Sequence, residues 1–315
     1  VKDSDNPRTP SSLTPKLSAA SYQPSTPGTQ SWTIARLLDW TVRYLDEKGS
    51  ESPRLDAEVL LAHALGCKRI DLYTRHDEAA SEDTRAKFKD LIRRRVRGCP
   101  VAYLVGRKEF FSLPFEVNPA VLIPRPDTEC LVVECLRLAR DLPYPRVLDI
   151  GTGSGAIAIA VAHQHRGAQV TAVDVSTQAL ALAKRNADRN GVADRIRFLH
   201  GDLFAPIPSG ERFEFILSNP PYIARSDLPR LPAGVRDYEP LLALDGGDDG
   251  FEVFNRLVDQ AQTYLASGGY LLIEIGSPQE EPARNRISLH KDYQLGKTIL
   301  DGSSHPRVLR ARGRI

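Results

Sequence analysis

The chain has 315 residues, 41% of them hydrophobic and 26% charged, with Lys+Arg 42 against Asp+Glu 40 and a formal net charge of +2. That length suits one large domain or two modest ones with a sizeable core, and the near-neutral balance supplies no broad electrostatic footprint for nucleic acid. No apolar run is long enough to span a bilayer, so no membrane partner is expected. Cys67, Cys99, Cys130 and Cys135 form no Cys-x-x-Cys pair and have no histidine at ligand spacing. They read as buried reduced thiols, which predicts no metal and a reducing, cytoplasmic setting.

Residues 1–30 are rich in Ser, Pro and Thr and nearly free of large apolar side chains. Such a stretch cannot bury enough surface to offset its ordering entropy, so a disordered tail is expected. A transit peptide is the rival, disfavoured by Asp3, Asp5 and the prolines. Residues 31–99 read as a small all-helical domain. Ile34, Leu37, Leu38, Val42 and Leu45 recur at helical spacing before Gly49. Ser52-Pro53 then looks like a cap with proline in the first turn, and Gly66 ends that helix. Ser81 opens another, carrying Phe88, Leu91, Ile92 and Val96; its Arg93-Arg94-Arg95-Arg97 cluster reads as a solvated face, with a contact to acid or phosphate as the alternative.

Residues 100–120 read as a hairpin linker, extended from Glu109 to Val117 with a break at Leu113-Pro114. Residues 121–315 follow as the catalytic domain. It begins with the stiff loop Ile123-Pro124-Arg125-Pro126-Asp127-Thr128-Glu129 and a helix from about Thr128 to Arg140. Strands at 146–150, 169–173, 195–199, 213–217 and 270–275 alternate with helices at 156–162, 176–190 and 250–265. That alternation predicts an α/β fold with a mostly parallel sheet covered on both faces.

Gly151-Thr152-Gly153-Ser154-Gly155 follows the first of these strands and opens a helix. Glycines there allow a tight turn and close approach of a ligand. A turn without ligand is the plain alternative. Because Ala156 stands where a dinucleotide fingerprint would continue, no pyrophosphate grip is expected. Asp174 ends the next strand, placed to accept both hydroxyls of a ribose. A nucleoside held without pyrophosphate points to S-adenosyl-L-methionine as cofactor. Asp202 and Leu203, after the third strand, would meet its adenine, Asp202 at the exocyclic amine and Leu203 on the ring face; a solvated loop acid is the alternative for Asp202.

Asn219-Pro220-Pro221-Tyr222 closes the next strand, where open sheets bind ligands. The Asn219 side-chain oxygen and the Pro220 carbonyl can each accept one hydrogen of an NH2 group, Pro221 stiffens the turn, and Tyr222 can stack on a planar group. The tetrapeptide therefore describes a catalytic clamp for a planar nitrogen nucleophile, with an ordinary proline-rich turn as the plain alternative.

These stretches, together with Pro100-Val101-Ala102-Tyr103-Leu104-Val105-Gly106, the Pro124-Arg125-Pro126 loop, and Glu239-Pro240 followed by Ala243-Leu244, closely resemble the peptide chain release factor N5-glutamine methyltransferases. The resemblance runs from about Trp32 to near the C-terminus. It implies a class I, Rossmann-like S-adenosylmethionine-dependent methyltransferase with a seven-stranded, mostly parallel sheet behind a helical N-terminal domain. It implies methylation of the glutamine of the Gly-Gly-Gln loop in release factors, gripped by both domains, and a monomer is expected. The resemblance also implies Gly151 to Gly155, Asp174, Leu203 and Asn219 as cofactor contacts and Asn219 to Tyr222 as the substrate clamp, although Leu203 stands where many relatives carry an aromatic residue. A nucleic-acid amino-methyltransferase acting on adenine or guanine is the alternative, since the same clamp would serve a flipped base; the charge balance and helical domain argue against it. A catalytically silent binding module is a further alternative, disfavoured by the intact clamp and glycine loop.

Overall fold

The computed structural model describes residues 31–314. The predicted N-terminal tail lies outside the described residues.

Helix α1 (Ile34–Glu47) starts at Thr33, whose hydroxyl accepts the Arg36 N–H, and buries Ile34, Leu37, Leu38, Thr41 and Leu45. Helix α2 (Pro53–Leu65) begins on its proline and ends on Gly66 in the left-handed conformation. Ser52 makes no side-chain cap there, contrary to the sequence expectation; Pro53 presets the first turn without it. A short helix α3 (Asp71–Thr74), with no sequence signal strong enough to predict it, precedes α4 (Glu82–Val96), which Ser81 caps. In the basic cluster, Arg95 reaches inward to Asp56 at 2.7 Å while Arg93, Arg94 and Arg97 are exposed.

The start of the expected hairpin linker is instead helical: α5 (Val101–Val105) ends on Gly106. The hairpin is β1 (Arg107–Phe110) against β2 (Leu113–Glu116). It reverses at Phe111 and Ser112, both at positive φ, and not at Leu113-Pro114. Two consecutive left-handed residues match the twist of tightly joined strands, so Pro114 is left inside a strand of this two-stranded sheet, opposite Glu109.

The remaining elements alternate. Helix α6 (Glu129–Ala139) leads to β3 (Arg146–Ile150), α7 (Ala156–Gln164), β4 (Gln169–Asp174), α8 (Thr177–Arg189), β5 (Ile196–His200) and β6 (Phe213–Ser218). A four-residue α9 (Ala233–Arg236) and α10 (Glu252–Ala261) then precede β7 (Leu265–Glu274), α11 (Glu280–Ser288), β8 (Tyr293–Leu295), β9 (Ile299–Leu300) and β10 (Pro306–Gly313). The sheet order is β5-β4-β3-β6-β7-β10-β8. The first five strands are parallel, β10 runs antiparallel to β7 and β8, and the two-residue β9 adds to β10. Seven strands thus cross the sheet, with β9 as an eighth fragment at its margin. Strand β7 starts five residues before the expected position, so the helix before it is shorter than predicted. Gly268 and Gly269 absorb a register shift in its pairing with β6.

Apolar side chains fall in two clusters. One runs without a break from Leu37 and Leu60 in the helical module through Phe110 and Phe115 to Ile159 and Val161 beside the sheet. The other fills the opposite face, where Phe254, Leu257 and Ile287 of α10 and α11 meet Ile216, Leu271 and Ile273. Both faces of the sheet are therefore covered, and its carboxyl edge carries the cleft described next.

Candidate active site

The chain leaves β3 toward β4 on one side and leaves β6 toward β7 on the other. A crevice opens at such a switch point, outside the strand ends. Here it is a cleft of about 780 Å³. Gly151, Thr152, Gly153, Ser154, Asp174, Asp202, Leu203, Asn219 and Pro221 line it together. The predicted residues Gly155, Pro220 and Tyr222 are not among the lining residues.

The glycine loop is held from below. The N–H groups of Gly151 and Thr152 both donate to the Val173 carbonyl, at 2.9 and 3.0 Å. Thr152 Oγ1 donates to Asp149 Oδ2 at 2.6 Å, and the Ala158 N–H reaches the same oxygen at 3.2 Å. Asp149 is fully buried, its Oδ1 has no partner, and burial pushes its carboxyl up to about 7. Gly151 and Gly153 sit at φ 73° and 56°, and a Cβ on Gly151 would meet no protein atom within 4 Å. The loop is thus an open cradle for a ligand. Gly155 differs: its Cβ would lie 2.8 Å from Ile159 Cδ1 and 3.1 Å from Ala183 Cβ, so this glycine serves the packing of α7 on α8.

Asp174 uses both oxygens on backbone. Oδ2 accepts the Gly153 N–H and Oδ1 the Ser176 N–H, each at 2.8 Å. Burial raises its pKa, against the pull of these two donors. A carboxylate oxygen has further lone pairs to offer a ribose, so the same residue can shape the loop and hold a sugar. Asp202 is ion-paired with Arg256, which also lines the cleft. Leu203 is buried at φ 48°, a backbone conformation leucine seldom adopts, and it packs into the core of that sheet face.

The Asn219 turn is fixed by residues the sequence did not single out for the site. Ser218 Oγ donates to the Ile150 carbonyl at 2.8 Å, joining the ends of β6 and β3. Asn219 Nδ2 donates to Thr128 Oγ1 at 3.2 Å. In this orientation Oδ1 is the acceptor the amide has left to offer. Gln279 Nε2 donates to the Tyr222 carbonyl at 2.9 Å, and Gln279 Oε1 accepts the Gly276 N–H at 3.1 Å. Gly250 is obligatory opposite this turn, since a Cβ there would fall 2.5 Å from the Tyr222 oxygen. Burial raises the Tyr222 pKa, so the phenol is neutral.

The Pro124-Arg125-Pro126 loop closes another side. Arg125 and Thr128 line the cleft, and Arg125 pairs with the buried Glu239. Glu239 had a signal in the Glu239-Pro240 stretch, and Thr128 in the stiff proline loop. Gln279 had none, because nothing local marks a residue just past the end of β7 as reaching a turn 57 residues away.

The arrangement supplies a neutral acceptor for an NH2 group beside a nucleoside cradle. Among the described residues no group of three or more His, Cys, Asp or Glu side chains converges as a ligand set for a metal.

Two family models match the chain: the PrmC N-terminal domain over residues 36–106 and the methyltransferase small domain over residues 128–230. A release factor glutamine methyltransferase of Rhodopirellula baltica is 46% identical over 283 residues, covering 88% of this chain and 95% of the relative. This chain belongs to the release factor glutamine methyltransferase family. The Geobacter sulfurreducens member is 47% identical over 257 residues, covering 82% of this chain and 89% of its own. Among solved structures, the hMettl16 catalytic domain in complex with MAT2A 3'UTR hairpin 6 superposes with a TM-score of 0.52 at 18% identity, covering 72% of this chain and 82% of that one. That likeness concerns the fold alone. Family membership accounts for the helical module, the glycine loop and the Asn219 turn occurring in one chain.

Proposed function

We propose that this chain transfers a methyl group from S-adenosyl-L-methionine to the side-chain N5 nitrogen of the glutamine in the Gly-Gly-Gln motif of peptide chain release factors. One observation carries the reading: Thr128 engages the Asn219 Nδ2, so Asn219 presents an acceptor and not a donor at the end of β6, next to the glycine cradle. The cradle fits the cofactor, with open space at Gly151, an acid at Asp174 and an orphaned Asp149 Oδ1 beneath the loop.

The cofactor supplies a methyl group already activated by its own sulfonium charge. The chain's residues do the rest. An amide nitrogen is a poor nucleophile because its lone pair is delocalised into the carbonyl. Asn219 Oδ1 and the Pro220 carbonyl accept its two hydrogens, which holds the nitrogen in one orientation and strengthens as those hydrogens grow more acidic. The half-buried, neutral Tyr222 backs the turn. Residues 31–99 take the role of substrate recognition, residues 100–120 join them to the catalytic part 121–315, and the enzyme works as a monomer in the cytoplasm. The four free cysteines suit that reducing setting.

The test is mass spectrometry of the Gly-Gly-Gln peptide after incubation of release factor with enzyme and cofactor, beside a parallel nucleic-acid incubation with labelled cofactor. A peptide one methyl heavier, with no label in nucleic acid, is expected. Label confined to nucleic acid overturns the proposal.

A further inference from the structure

The loop of residues 239–246 is tied down at both ends. At one end the buried Glu239 pairs with Arg125 and accepts the Ile123 N–H. At the other end Leu244 is buried. Its carbonyl accepts the Ile223 N–H at 3.1 Å, and the Gly246 N–H donates to the Ile223 carbonyl at 2.8 Å. Ile223 directly follows Tyr222, so the loop is fixed to the Asn219 turn. Between these anchors lies a single turn of 3-10 helix, Leu241–Ala243. The Asp245 N–H closes it onto the Leu241 carbonyl at 2.9 Å. Leu241 and Leu242 are each 60% exposed, and both line the cleft.

One exposed leucine is ordinary on a protein surface. Two in a row on a braced turn need a reason, and packing does not give it, since neither belongs to either apolar cluster. Pro119, Ala120 and Leu122 line the same cleft, so the two leucines continue an apolar lining out to solvent. The charges there point the same way. Among the described residues, the basic side chains lining the cleft are Arg125, Arg225 and Arg256. Arg125 pairs with Glu239, Arg225 with Asp245 at 3.2 Å and Asp248 at 2.5 Å, and Arg256 with Asp202. Asp174 and Glu252 add further acid groups. A nucleic-acid strand draws much of its affinity from cations set against its phosphates, and here each cation already has a carboxylate. A neutral peptide needs apolar contact and no free charge.

We propose that Leu241 and Leu242 dock the neutral segment of release factor that carries the target glutamine, and that they select protein over nucleic acid at this cleft. This rests on the methyltransferase function proposed above. The two residues before that glutamine are glycines, whose bare backbone lets leucine methyl groups approach closely. Covering the leucines removes their exposed area from water, and the loop, already braced on the Asn219 turn, need not be ordered on binding.

Four variants test this: Leu241→Ala, Leu242→Ala, the double alanine variant, and the double methionine variant, which keeps apolar volume. Methylation of full-length release factor is read as kcat and KM, beside the cofactor dissociation constant and the melting temperature. Each alanine variant is expected to lose roughly 5–20-fold in kcat/KM, most of it in KM, because about half a leucine's burial is forfeited. The double alanine variant should lose on the order of 10–100-fold, and the double methionine variant should stay close to wild type. Cofactor affinity and melting temperature should hold, and an RNA oligonucleotide should not compete with release factor. Unchanged kcat/KM in the double alanine variant would overturn the inference while leaving the function standing. Weakened cofactor binding in that variant would assign the leucines to the cofactor instead, and RNA competition that disappears with them would assign them to nucleic acid. A lower mass of the double alanine variant in sedimentation would assign them to a contact with a second copy of the chain. A wild-type enzyme that leaves the glutamine unmethylated overturns the function, and this inference with it.

Discussion

Arg125 and Glu239 stand 114 residues apart in the chain and lock two loops together over the cleft. Arg125 Nη2 donates to Glu239 Oε1 at 2.5 Å, and the Ile123 N–H donates to the other oxygen at 3.4 Å. The glutamate side chain is 1% exposed and the arginine 36%. Removing the arginine strands a buried charge, a defect of about 3–5 kcal/mol for a wholly enclosed pair. Solvent around Arg125 screens part of that, so Arg125→Ala is expected to cost roughly 2 kcal/mol. Calorimetry should show the melting temperature falling by about 4–8 °C. A wild-type melting temperature would mean the pair is not what holds the loops.

Asn219→Ala removes the acceptor proposed to meet the substrate and leaves the glycine cradle alone. Because hydrogen bonds to the nitrogen matter most as its hydrogens become acidic, kcat should drop by about 10²–10³-fold. The cofactor dissociation constant, measured by titration calorimetry, should change little. Normal methylation by this variant would refute the clamp.

Asp174→Ala should show the reverse pattern. It deletes the acceptor for the Gly153 and Ser176 N–H groups as well as the acid offered to a ribose. Hydrogen bonds to a charged group contribute about 1.5–3 kcal/mol each, so cofactor affinity should weaken by at least about tenfold. The kcat at saturating cofactor should suffer less than in Asn219→Ala. Unchanged affinity would assign Asp174 to loop architecture alone.

Far from the cleft, Glu58 carries a pH signature. It is 3% exposed at its side chain and accepts from Arg54 at 2.6 Å, from Arg69 at 2.7 Å and from the Tyr73 hydroxyl. Burial opposes its charge, but these three donors outweigh burial and hold its pKa at about 2, below the ordinary 4.5. A lowered carboxylate pKa stabilises the fold above the unfolded value, and that stability is lost as pH falls from about 4.5 to about 2. Acid unfolding of Glu58→Gln should therefore lose its steep dependence within that window and keep it elsewhere. Identical acid profiles for the two proteins would argue that the cluster stores no such energy.

The parts of the fold written in local signals were legible. Apolar spacing located α1, α4 and the strands β3 to β6, and a glycine loop after one strand with an acid after the next marked residues that line one cleft. What was missed depends on distance in the chain. The reversal at Phe111 and Ser112 lacks the usual glycine, so the proline two residues later drew the break. Strand β10 and helix α11 have mixed composition, and their place is set by pairing and packing with β7 and β8. Thr128 and Gln279 reach the Asn219 turn only after the sheet has formed. Asp202 was expected to face an adenine; its pairing with Arg256 of α10, 54 residues on, is likewise invisible to spacing.

Gly151 and Gly155 belong to one motif, and the structure separates their roles. At Gly155 the left-handed φ of 82° and the contacts of a Cβ at 2.8 Å with Ile159 and 3.1 Å with Ala183 are both adverse to alanine. Left-handed backbone costs about 1–2 kcal/mol and overpacking about 1–3 kcal/mol, so Gly155→Ala should destabilise by roughly 2–4 kcal/mol. At Gly151 the φ of 73° brings a similar backbone cost, but the added methyl has no protein atom within 4 Å and opens on the cleft. Gly151→Ala should therefore fold with a smaller loss and bind cofactor at least about tenfold more weakly, since the methyl takes space that a ligand approaching bare backbone needs. Paired melting and calorimetric titrations of the two variants check this. If Gly155→Ala proved the weaker cofactor binder once folded, with Gly151→Ala binding normally, the contact with the cofactor would have to move to the far end of the loop.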